Sequence, residues 1–183
     1  MDRRASIRTM LYIAGGTLVL PACFRPSGRT SIELVHLKVS EDDEALLEAL
    51  VETLIPATDT PGGRKLMLHL FALKMVDDCH GPEEQQAFVD GVRAFADWSR
   101  NVLGSAFVEA EKEHRENLLK QIGEAGDAAG KFFSLLKRRA IQGYMNSKYV
   151  MTNLVKYELV PGRYDGYFPM ETTDGATVKT AGQ

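Results

Sequence analysis

Ser40-Glu41-Asp42-Asp43-Glu44-Ala45-Leu46-Leu47-Glu48-Ala49-Leu50-Val51-Glu52-Thr53-Leu54-Ile55-Pro56 is the stretch on which the fold class turns. Ser40 offers a capping hydroxyl, and Glu41, Asp42 and Asp43 sit at what would be the positive end of a helix dipole. Leu46, Leu47, Leu50, Val51, Leu54 and Ile55 recur one and four residues apart, an apolar stripe at helical period. Pro56 ends the helix. The stretch that follows, Pro56-Ala57-Thr58-Asp59-Thr60-Pro61-Gly62-Gly63, has no helical interior and reads as a stiff, cap-rich loop.

The same period continues outward. A second helix is expected from about Arg64 to Cys79, with Leu66, Leu70, Leu73 and Met75 or Val76 inward. Gly81-Pro82 breaks it, and Pro82 suits the first turn of a third helix carrying Phe88, Val92, Phe95 and Val102 and stopping at Gly104. A charged fourth helix, about 109–122, has Leu118, Leu119 and Ile122 as its apolar side. A fifth, about 129–151, holds Phe132, Phe133, Leu135, Leu136, Ile141 and Tyr144. Its Lys137-Arg138-Arg139 reads as a solvated face. No alternating strand pattern and no internal repeat occurs. The expectation is an all-α bundle of about five to six helices, closed by an ordered aromatic C-terminal loop at 157–169. Residues 40–169 would form the helical domain, 23–39 a linker or tether, and 170–183 a flexible tail.

Composition bounds the function. The chain has 183 residues, 44% apolar and 26% charged, enough for one domain with a real core. Twenty-two basic against 25 acidic residues give a net charge of −3, a poor basis for binding nucleic acid. Two cysteines, Cys23 and Cys79, exclude a disulfide scaffold and a four-cysteine zinc site. His36, His69, His80 and His114 include no HExxH pair, and no GxGxxG, P-loop, GxSxG or CxxCH is present. Asp77-Asp78-Cys79-His80 is the densest run of potential ligands, but consecutive residues of a helix point around its circumference. The reading is therefore no catalytic, cofactor-binding or metal-binding residue in this chain. His69 is expected as a satisfied core histidine. Cys79 stays open between helix-end packing and a disulfide to another chain.

Residues 1–22 read as an export signal. Arg3-Arg4 precede a modest apolar run from Met10 to Ala22, shorter than the ~20 residues of a spanning helix. Paired arginines in this setting resemble a twin-arginine signal, with Ser6 where an aromatic is usual. Leu20-Pro21-Ala22-Cys23 looks like a lipobox. Cys23 is then either a lipidation site that anchors the chain to a membrane, or a free thiol after cleavage near Ala22. Periplasmic localisation follows on either reading. The twin-arginine route exports folded, cofactor-loaded proteins, yet this chain shows no cofactor motif, which points to a loaded companion.

Three segments carry a family resemblance: Leu54-Ile55-Pro56-Ala57-Thr58-Asp59-Thr60-Pro61-Gly62, Gly143-Tyr144-Met145-Asn146-Ser147, and Tyr157-Glu158-Leu159-Val160-Pro161-Gly162-Arg163-Tyr164-Asp165-Gly166-Tyr167-Phe168-Pro169. With the leader, their order and spacing over residues 40–169 resemble the gluconate 2-dehydrogenase subunit 3 family. Tyr167 stands where many relatives place Cys, so an intersubunit disulfide there is not carried over. The resemblance implies a non-catalytic accessory (small) subunit of an oxidoreductase complex. Its FAD would lie in a large glucose–methanol–choline-type flavoprotein partner, and a multihaem cytochrome c could take the electrons. The small subunit would carry the export signal and stabilise the large one. The implied interface takes Thr58, Asp59, Thr60, Pro61 and Gly62, Tyr144, and Tyr157, Pro161, Gly162, Tyr164, Tyr167 and Phe168. A stiff loop and rotamer-poor aromatics suit docking. The bland alternative is that both loops cap the bundle's own core. A second functional reading is a twin-arginine-exported lipoprotein or chaperone-like binding module for a different oxidoreductase.

Overall fold

The computed structural model describes residues 30–122 and 126–155, with residues 160, 162 and 167. Two compact units divide it, 1–145 and 146–183, so the expected single domain 40–169 parts after Met145. Among the described residues the first unit has five α-helices and no strand: α1 (Glu41–Leu54), α2 (Leu68–Cys79), α3 (Pro82–Leu103), α4 (Lys112–Ile122) and α5 (Ala128–Met145). The all-α bundle is as expected.

α1 starts where its cap residue dictates. Ser40 and Asp43 bond reciprocally, side chain to backbone N–H in each direction, and satisfy two orphan donors. Its stripe is inward, with Leu47, Leu50 and Val51 fully buried. α3 begins at Pro82 and ends on Gly104, whose φ of 75° is the left-handed stop that glycine adopts without a Cβ penalty. α5 is the hub. It packs chiefly on α3 and α2, and also touches α1 and α4. Gly91 lets α3 approach so closely that an added Cβ would lie 2.4 Å from Phe132 Cβ. Around that contact Phe132 meets Phe88 edge-on at 5.3 Å and Phe95 at 5.9 Å, and Phe95 meets Phe107 at 5.6 Å.

Four expectations are revised. α2 begins at Leu68, not Arg64, because residues 63–67 are drawn into a turn that ends on Met67 at φ 52°. Its buried side is accordingly Leu68, His69, Ala72, Leu73, Val76 and Asp77, and Leu66, Leu70 and Met75 are only half-buried. Val102 and Ile141 are half-exposed on the outward sides of α3 and α5, while Leu103 packs against the core and Ala140 is buried in it. α5 stops at Met145, and the described residues of the second unit include a π turn, Val150–Leu154, closed by Val155 N–H on the Val150 carbonyl at 2.9 Å.

The fourth revision concerns residues 23–39. Their described part, 30–39, is fastened to the helices rather than loose. Leu37 is buried in the core, with Ile32, Leu34 and Val39 packed against it. Ser31 N–H donates to Glu44 Oε2 at 2.6 Å. The N–H groups of Val35, His36 and Leu37 all donate to the buried carboxylate of Asp77, at 2.8, 2.7 and 2.8 Å. Burial alone would raise the Asp77 pKa, but these three donors and Lys74 outweigh it and hold the carboxyl below its ordinary value. Asp77 is thus an anchor for backbone. Asp78 pairs with Lys74 at 2.9 Å, Cys79 is exposed, and no group of three metal-ligating side chains exists among the described residues. The signal residues Arg3 and Arg4, Cys23 and the tail 170–183 lie outside the described residues.

Candidate functional site

The loop between α1 and α2 is shaped by four restraints. At its base Gly63 N–H donates to the Ile55 carbonyl at 2.8 Å, closing the excursion of residues 56–62. Within it Thr58 N–H donates to the Thr60 carbonyl at 3.0 Å. From the last turn of α1, the Glu52 carboxylate accepts from Ala57 N–H at 3.3 Å and Arg64 N–H at 2.8 Å, bracing both limbs. From α5, the Tyr144 hydroxyl donates to Thr60 Oγ1 at 3.1 Å.

Gly62 and Gly63 are required by proximity, since neither takes positive φ. A Cβ on Gly62 would sit 2.6 Å from Ala57 N and 2.7 Å from Glu52 Oε2. One on Gly63 would sit 2.4 Å from the Val51 carbonyl oxygen. Both glycines are buried, and the loop tip, Ala57, Thr58 and Asp59, is exposed. Beyond the loop Met67 is 58% exposed, and on α5 Ile141 and Met145 are 47% and 51% exposed. Phe71, one turn after Met67, lies against Gly143, where an added Cβ would meet its ring at 2.7 Å. The C-terminal end of α5 and the start of α2 are therefore in contact beside the loop.

This arrangement presents a backbone shape braced by hydrogen bonds, with apolar side chains nearby. A surface whose ordering entropy is already spent in the fold is suited to docking. The sequence singled out Thr58, Asp59, Thr60, Pro61, Gly62 and Tyr144, and the structure joins the loop to Tyr144 through Thr60. Gly162 and Tyr167 are exposed, Tyr167 at 95%, in the second unit. Tyr157, Pro161, Tyr164 and Phe168 lie outside the described residues. Sequence reasoning missed Glu52, Gly63, Met67, Ile141 and Met145. Glu52 carried a signal: a lone acid on the last turn before a proline and two glycines is placed to accept loop N–H groups.

His69 and Arg139 are two further side chains whose surroundings the structure defines. His69 is buried, as expected of a core histidine. Its Nδ1 has no partner, and Nε2 is 3.9 Å from Glu44 Oε1, an ion-pair distance too long for a hydrogen bond. Burial lowers its pKa below 6.5, opposed by Glu48 and Glu44 and assisted by Arg64. In Lys137-Arg138-Arg139 the first two are exposed, as expected, and Arg139 turns inward. Its guanidinium lies 2.8 Å from His80 Nε2 and donates to Gln142 Oε1 at 2.8 Å. Arginine has only donors, so we assign the lone pair of His80 to Nε2 and its proton to Nδ1. Nδ1 is 3.1 Å from Glu84 Oε2 but is not aligned for a hydrogen bond. A separate hollow of about 350 Å³ between the start of α1 and residues 106–109, with Phe107 and Arg100 in its wall, contains none of the singled-out residues.

A family model, that of gluconate 2-dehydrogenase subunit 3, matches residues 41–162. The matched stretch runs from the first residue of α1 through the loop and Tyr144 to Gly162. No curated protein and no solved structure matches the chain.

Proposed function

The chain belongs to the gluconate 2-dehydrogenase subunit 3 family, and from that premise we propose that it is the non-catalytic accessory subunit of a periplasmic flavin-dependent dehydrogenase complex. Its partner is a large FAD-bearing subunit of the glucose–methanol–choline type, which it stabilises and accompanies through export on the signal at Arg3-Arg4. Cys23, if acylated, holds the complex at the membrane. The observation that carries this reading is the loop 56–63, fixed by Glu52, Ile55 and Tyr144 yet exposed at its tip. Two close glycine approaches and a long-range tyrosine bond hold the loop's shape, so a partner would dock on a preformed tip.

The test is co-expression of the full chain with the flavoprotein encoded beside it, followed by purification through a tag on this chain. Flavin should co-elute in a fixed ratio to the tagged chain. A chain that emerges monodisperse and alone, with the flavoprotein in the flow-through, refutes the proposal. Co-elution of an oxidoreductase without flavin would favour the second reading, a binding module for another enzyme. Cys23→Ala should release the complex from membranes if the anchor is real, and unchanged fractionation would rule the anchor out.

A further inference from the structure

Residues 31–39, ahead of α1, lie over the helices as a strap. Leu37 is buried in the core, Ile32, Leu34 and Val39 pack against it, and the residues between them are exposed. One side chain holds the middle of the strap. The Asp77 carboxylate has no exposure, and it accepts Val35 N–H at Oδ2 and His36 and Leu37 N–H at Oδ1. Ser31 N–H makes a second fastening, to Glu44 of α1.

α2 gains nothing from carrying Asp77. The residue stands in the last turn, where the helix dipole disfavours an anion and no basic residue stands. Lys74 is 3.7 Å from it but closer, at 2.9 Å, to Asp78. A buried carboxylate is costly unless its hydrogen bonds are made, and three of them come from the strap. The acceptor is also set by α3, because Gln85 Nε2 donates to the Asp77 and His80 carbonyls, both at 2.9 Å. The strap's acceptors are therefore in place only where α1, α2 and α3 have assembled.

The strap follows closely on Cys23 and on the apolar run 10–22. Unfastened, Ile32, Leu34, Leu37 and Val39 would stand as a second exposed apolar run behind the first. We propose that the strap is a folding-dependent latch for export: Asp77 withdraws those four side chains only on an assembled body, so that the signal is presented clear of other exposed apolar chain. This rests on the export role proposed above. It assigns to a buried acid of α2 a part in deciding when the leader is used.

Two variants open the latch. His36→Pro removes one donor at an exposed residue outside the helices. Asp77→Asn keeps the shape but leaves an amide where two acceptor oxygens are needed. The full chain with its leader is expressed in a bacterial host that has a twin-arginine translocase. Cleavage within residues 30–39 by limited proteolysis of the cytoplasmic chain should rise at least about fivefold. The exported share should fall in step. His36→Ala keeps the N–H and should match wild type in both readouts. Gly91→Ala, whose added Cβ meets Phe132 and Ala128 of α5, destabilises the body without touching the strap and should export as wild type while folded. Full export of a variant whose strap is cut, or a strap that resists cutting in both variants, overturns the inference and leaves the accessory-subunit reading intact. An equal loss of export in Gly91→Ala assigns the effect to general instability and overturns it too. Export that survives replacement of Arg3 and Arg4 by Lys overturns the signal reading along with it. Helical circular dichroism checks the fold, and His36→Pro decides alone if Asp77→Asn loses that signal.

Discussion

At Gly63 a single distance decides what the position tolerates. The Val51 carbonyl lies where a methyl group would go, and both belong to backbone, so nothing nearby can swing aside. Gly63→Ala should destabilise the chain by about 1–3 kcal/mol, read from urea unfolding; an unchanged midpoint would show that the loop yields freely. His69 gives a pH signature. Its folded pKa is depressed, so its neutral form contributes full stability above pH 6.5. Below 6.5 the unfolded chain takes up the proton first, and stability falls as pH drops towards the folded pKa, by up to about 1.4 kcal/mol per pH unit. His69→Leu should flatten that slope, and an identical slope in the variant would assign it to other groups. Asp77 acts at lower pH. Its clamp on residues 35–37 holds above the ordinary carboxylate value of 3.8 and is lost only as pH falls through its lowered pKa.

At the scale of elements, terminations follow local chemistry and can be tested there. Gly104→Ala places a Cβ on a residue at φ 75° and should cost about 1–2 kcal/mol, measured by thermal unfolding. A neutral result would mean that α3 ends by another device. The caps at Ser40 and Gly104 and the proline at 82 were legible because their causes lie within a few residues. The start of α2 was not. Leu66, Leu70 and Leu73 keep helical spacing, but Gly63 binds Ile55, and its neighbours wind into a turn before the helix begins. Asp77 stands in a run whose helical spacing argues against a shared metal, and its actual use, holding the backbone of residues some 40 positions earlier, leaves no local mark. Thr60 and Tyr144 were named in the sequence by resemblance alone. Their hydrogen bond spans 84 positions and has no periodic signal.

For the whole molecule, the proposed function has the five helices of the described residues form a body that carries a companion. If one signal serves two polypeptides, as proposed, replacing Arg3 and Arg4 by Lys should strand both this chain and the flavoprotein in the cytoplasm. Continued export of the flavoprotein would separate the two and end the carrier idea. On the proposed function the bundle would supply rigidity and the exposed loop tip recognition. The central claim is that this preformed surface is where the flavin-bearing subunit sits. Amide hydrogen exchange of the chain, free and in the complex, tests it most directly. The account predicts slower exchange at residues 57–67 and 141–145 on binding, with α4 unchanged; protection confined to α4, or no change at the loop, would contradict it.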